Sequence, residues 1–127
     1  PNEPPSPLLM ARRVECYAAL NQREKAIQLG LEATKLFPEV PRIRKALSTQ
    51  LEAAERWEEA ASHLRVAHEI NPYDLSTESS LVRLYNTLGN TEASARHRRY
   101  YRILSVGGAR NQSDEKPEQT DSNRSRK

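Results

Sequence analysis

Residues 56–72 read RWEEAASHLRVAHEINP, and the fold is decided there. Trp57 opens the stretch, Ala60 and Ala67 stand seven apart with Leu64 between them, and Pro72 follows Ile70 at the end. This spacing puts the small residues and the leucine on one face of a helix, and the proline stops that helix. Moving back 34 positions from Ala60, Ala67 and Pro72 gives Ala26, Ala33 and Pro38. Small side chains and a helix stop that recur at one offset mark a tandem repeat. Such a repeat points to binding rather than to chemistry.

Working outward, residues 1–6 are proline-rich and read as an extended linker. Ser6 is placed to cap a helix whose first residue is Pro7. Its apolar stripe is Leu8, Leu9, Val14, Tyr17 and Leu20, and Asn21-Gln22 ends it. A second helix from Arg23 carries Ala26, Leu29, Ala33 and Leu36. Gly30 stands one repeat before Leu64, which predicts either a close helix approach or a shallow packing defect. A third helix runs from Arg42 to Ala54 through Ile43, Leu47 and Leu51, and the opening stretch is the fourth. Asp74 caps the fifth, which uses Leu81, Val82, Leu84, Tyr85 and Leu88 before Gly89-Asn90. The sixth runs from Thr91 to Leu104. After Ala109 there is no apolar residue, so 105–127 is expected to be a disordered polar tail.

Composition removes several functions. One cysteine, Cys16, rules out an internal disulfide and multi-cysteine metal sites, and beside Tyr17 it reads as a small core residue. The net charge of +3 comes from 20 basic and 17 acidic residues, too balanced to name nucleic acid as the partner. No apolar run approaches the ~20 residues of a bilayer span, so no membrane partner is expected. The opening at Pro1, without a methionine, reads as a segment cut from a longer protein. No phosphate loop or nucleophile motif is present, Glu58 and Glu59 diverge on their helix, and no catalytic residue or cofactor is expected. His63 and His68 are five apart and turn away from each other, while His97 lies on another helix; no metal site is expected.

Tyr17, Ala26, Ala33 and Pro38, then Leu47, Leu51, Trp57, Ala60, Leu64, Ala67 and Pro72, then Leu81, Tyr85, Leu88 and Gly89 together resemble the tetratricopeptide repeat. The resemblance implies an all-α right-handed superhelix of three helix-turn-helix units, 7–38, 41–72 and 74–104, within a domain spanning 7–104. The third unit departs from the pattern. Ser94 and Tyr101 replace its alanines, and Tyr101 is expected to open the last pair or shift its register. An RNA-reading relative, the pentatricopeptide repeat, has a longer unit and fits less well.

In the family, the first helix of each pair lines a concave groove that holds a partner protein or peptide. Carried onto this chain, the groove receives Leu8, Ala11, Arg12 and Glu15, then Arg42, Lys45, Thr49 and Glu52, then Arg83 and Asn86 among several serines. Basic residues outnumber acidic ones there, so an acidic or carboxylate-ended peptide is the expected ligand. The positions that grip chaperone tails in some family members hold Ala11, Glu15, Ala46, Ser76 and Ser80, which argues against that clamp. Arg96, Arg98, Arg99 and Arg102, interleaved with Tyr100 and Tyr101, form a second candidate surface. The alternative to a peptide-binding module is an architectural segment that packs on an upstream domain or forms a homo-oligomer through this last helix.

Overall fold

A computed structural model describes residues 4–114, and every regular element in that range is a helix. In order they are α1 (Pro7–Ala19), α2 (Arg23–Leu36), α3 (Pro41–Ala53), α4 (Trp57–Ile70), α5 (Leu75–Thr87) and α6 (Thr91–Asp114). Consecutive helices form three antiparallel-type pairs, α1 with α2, α3 with α4 and α5 with α6. The pairs stack through α2 on α3 and α4 on α5, and α1 also touches α3, so the first helices of the first two units lie side by side.

The turn within each unit repeats to the residue. Asn21, Glu55 and Gly89 occupy the same place in the three units and have φ of 61°, 62° and 78°. Each ends a first helix in the left-handed region. The next N–H then reaches back across the turn, from Gln22 to the Tyr17 carbonyl, from Arg56 to Leu51 and from Asn90 to Tyr85, at 2.8, 2.8 and 2.9 Å. These bonds close helix ends that would otherwise leave carbonyls unpaired. The turns between units use proline instead: α2 and α4 stop before Pro38 and Pro72, and the N–H groups of Phe37 and Asn71 make the last helical bonds to Ala33 and Ala67.

Helix starts follow the expected caps. The Ser6 hydroxyl accepts from the Leu9 N–H at 3.3 Å, and Asp74 accepts from the Ser76 N–H at 3.0 Å. Pro41 stands at the first position of α3, one residue before the start read from the sequence.

The main core joins the second and third units through Leu47, Leu51, Leu64, Leu81, Leu84 and Tyr85, with Ala60, Ala61 and Ala93 letting the helices approach. A smaller cluster of Met10, Ala11, Ala33 and Ile43 holds the first unit. Gly30 is buried and marks a close approach, because a Cβ there would lie 2.9 Å from Leu47 Cδ1 and 3.1 Å from Leu47 Cβ. The packing-defect alternative is not what the chain adopts.

Several expectations at the ends of the stack need correction. Leu8 and Leu9 are half exposed and Cys16 is exposed, because α1 has helices on one side only, α2 and α3. Ala11, expected in the groove, is fully buried in the small cluster. Tyr101 neither opens the last pair nor shifts its register: Ala93, Ser94 and His97 remain buried, α6 packs on α5, and Tyr101 is 38% exposed. The last helix does not end at Leu104 but continues to Asp114, with no proline in between to stop it. The rest of the tail expected to be disordered lies outside the described residues.

Candidate functional site

The first helices α1, α3 and α5 present a row of charges that pair from one unit to the next. Arg42 on α3 donates to Glu15 on α1 through both Nε and Nη2, at 3.1 and 2.9 Å. Arg83 on α5 does the same to Glu52 on α3, at 2.6 and 2.9 Å. This is the two-pronged fit of a planar guanidinium to a carboxylate. Lys45 adds a third link, donating to Asp74 Oδ2 at 2.6 Å.

These contacts set the ionisation of the row. The Arg42 hydrogen bonds hold the Glu15 carboxyl below the usual carboxylate range against a smaller opposing effect of burial. Burial alone would raise Asp74, but hydrogen bonds from Lys45, Ser76 and Thr77 outweigh it and bring its pKa from 3.8 to about 2. Asp74 thus caps α5 and ties it to α3 with one carboxylate.

Beside this row lies an open cleft of about 700 Å³, lined by Glu15, Arg42, Lys45, Ala46, Thr49 and Asp74, together with Ala18, Pro41 and Gln50. Of the groove residues expected from the sequence, Glu15, Arg42, Lys45 and Thr49 come together here. Glu52 and Arg83 form the next rung of the ladder rather than the cleft wall. Arg12 is exposed on α1, near enough for its charge to help lower Glu15. Asn86 turns toward the sixth helix, where its side-chain oxygen lies 2.7 Å from the Ser94 hydroxyl.

On α6, Arg96, Arg98, Arg99 and Arg102 are all exposed. Arg102 joins Ile103, Val106 and Gly107 around a shallower hollow of about 410 Å³, and Ile103 and Val106 are 62% and 53% exposed.

One group was not legible from spacing along single helices. Glu78, in the first turn of α5, is fully buried, and both its oxygens are taken by histidines. His68 Nδ1 on α4 lies 2.5 Å from Glu78 Oε2, and His97 Nδ1 on α6 lies 2.7 Å from Oε1. The sequence set His68 and His97 on separate helices; the stack brings them within one cluster. Tyr85 stacks on the His97 ring at 5.6 Å, and Tyr100 meets His68 edge-on at 5.2 Å. One unit earlier the same two positions hold Arg44 and His63, with Arg44 Nη1 2.9 Å from His63 Nδ1. Burial first, and the Arg44 charge second, lower the His63 pKa, so His63 accepts as neutral imidazole. The signal was the repeat itself: advancing Arg44 and His63 by one unit gives Glu78 and His97.

Among the described residues no helix is long and apolar enough to cross a membrane. No family model matches the chain, and no curated protein matches it. Solved structures do. MamA AMB-1 superimposes with a TM-score of 0.74 at 18% identity over 84% of this chain and 58% of that chain. A point mutant of MamA gives 0.72 at 17% identity over 82% and 76%. A chain of the CopN–Scc3 complex gives 0.71 at 13% identity over 75% and 56%. The chain therefore spans little more than half of two of these neighbours. At such identities the likeness establishes the fold alone: an all-α superhelix of tetratricopeptide-like units, right-handed as the repeat resemblance implies.

Proposed function

We propose that this chain is a protein-interaction module that holds an extended segment of a partner in the cleft between α1 and α3. The observation that carries the reading is the cleft itself: an open wall of small and polar side chains, Ala18, Ala46, Thr49 and Gln50, edged by charged groups already fixed in place. Fixed edges reduce the ordering cost of binding. The likeness to a chain of the CopN–Scc3 complex supports a scaffold reading, and no reaction is assigned to the segment.

The pairing refines the expected ligand. Arg42, Lys45 and Arg83 each already hold a carboxylate, so an acidic peptide has to compete with Glu15, Asp74 or Glu52 for them. A segment of mixed charge that keeps the ladder closed fits better than a purely acidic tail. The test blocks the cleft and leaves the ladder intact. An Ala46→Arg, Thr49→Arg variant that keeps its helical content is compared with the unaltered chain in partner capture from the source lysate. Partners held by the unaltered chain and lost by the variant support the cleft; an identical set on both sinks it.

A second reading has its own observation, the exposed Tyr101, Ile103 and Val106 on α6. These apolar side chains at the end of the stack suit packing on an upstream domain or a second copy. Light scattering of the chain against an Ile103→Glu, Val106→Glu variant separates this reading. A concentration-dependent mass that the variant abolishes supports it, and a constant monomer mass removes self-association.

A further inference from the structure

We propose that His68, Glu78 and His97 form a binding site for a zinc-like divalent transition-metal ion, which would clasp the joint between the second and third units. The three side chains come from three different helices, α4, α5 and α6, and their donor atoms lie within 4.8 Å of one another. Two imidazole nitrogens and one carboxylate oxygen are a donor set that zinc accepts, with a fourth position left for water. Donors bound tetrahedrally at about 2.1 Å sit roughly 3.4 Å apart. His68 and His97 now contact different oxygens of Glu78, at 2.5 and 2.7 Å. The three donors, within 4.8 Å of one another, therefore need to rearrange by on the order of 1 Å to gather round one ion, which replaces the shared protons.

Burial favours the ion. Glu78 is fully buried, and an ionised carboxylate in such a place needs a compensating positive charge. The described contacts to it come from the two imidazoles, with no lysine or arginine among them. The surroundings also fix the ligands, since Tyr85 stacks on His97 and Tyr100 braces His68. His68 is the most open of the three, at 21% side-chain exposure, and marks the route for the ion and its water. The equivalent slot one unit earlier supplies an internal contrast: Arg44 beside His63 already places a cation there, and no metal is expected to follow.

The test uses the whole 127-residue chain with Cys16→Ser, which removes an exposed thiol that would bind the same metals, after treatment with chelator. Cobalt(II) titration is read by visible ligand-field absorption, and zinc titration by thermal melting. The expected result is one equivalent of cobalt with bands of a four- or five-coordinate site, and a melting rise of about 10 °C at zinc ~100-fold above Kd. His68→Gln, chosen at the open edge to preserve the fold, and Glu78→Gln are expected to weaken metal binding at least about 10-fold. His63→Gln is expected to leave it unchanged. Absence of cobalt bands together with no melting shift at millimolar zinc would overturn the proposal on the unaltered ligand set, whatever the variants do. Binding that survives His68→Gln undiminished, or is lost with His63→Gln, overturns it as well.

Discussion

Gly30 shows how one missing side chain positions two units. Its absent Cβ would sit against Leu47, the leucine at the centre of the main core. Alanine would recover about 1 kcal/mol of helix propensity there, while forcing a residue into a filled core costs about 1–3 kcal/mol. Gly30→Ala is therefore expected to lower stability by about 1 kcal/mol, read as a drop in the urea midpoint at unchanged slope; a rise would show that Leu47 yields freely. Asp74 gives a second prediction at this scale. Its carboxyl titrates lower in the folded chain than in the unfolded one, at about 2 against an ordinary 3.8. The associated stabilisation is whole above about pH 4 and disappears as the pH falls through about 2, and after solvent screening it amounts to about 1 kcal/mol. Urea midpoints of the chain and of Asp74→Asn should converge across that window. A constant gap between them would mean that the carboxylate is not responsible.

The three first helices α1, α3 and α5 end alike but not at equal cost. Gly89 takes the left-handed turn freely, Asn21 takes it tolerably, and Glu55 takes it against its own preference. Glu55 is exposed, so Glu55→Gly removes strain without disturbing packing and is expected to raise stability by roughly 0.5–1 kcal/mol. Thermal melting checks it, and any decrease would show that the turn is not strained. These helices were largely legible in the sequence because their caps and stops are local: Ser6, Asp74, Pro38, Pro72 and Gly89 act within a turn of where they stand. The ends of the stack were not. Whether Leu8 or Tyr101 is covered depends on whether another helix lies beyond it, and the 3.6-residue period carries no such information. The groove was half legible for a similar reason. Residue types on the inner helices could be assigned, yet the pairing of Arg42 with Glu15 and Arg83 with Glu52 depends on how one unit sits upon the next. Likewise Glu78 gave no hint of burial, since an acidic residue in a first helical turn ordinarily faces water.

At the scale of the molecule the chain is a short stack in which each unit depends on its neighbours. α3 and α4 are covered on both sides, by α2 and by α5, while α1 and α6 have neighbours on one side only. Amide hydrogen exchange is expected to be slowest in α3 and α4 and faster in α1 and α6. Uniform protection would instead make the whole stack one cooperative block. The positions at which helices of a unit meet, 10 with 29, 44 with 63 and 78 with 97, carry Met with Leu, Arg with His and Glu with His. Near-identical backbones thus carry three chemically different locks. If two copies exchanged units, or a folding chain docked α5 where α3 belongs, Glu78 would keep one imidazole, His97 or its counterpart His63, but would meet Thr34 in place of His68. A buried carboxylate oxygen left without its partner in that way costs about 1–3 kcal/mol, which disfavours the misassembly. The buried polar pairs thereby act as a proofreading code, one that lets look-alike segments of a single chain find their own order.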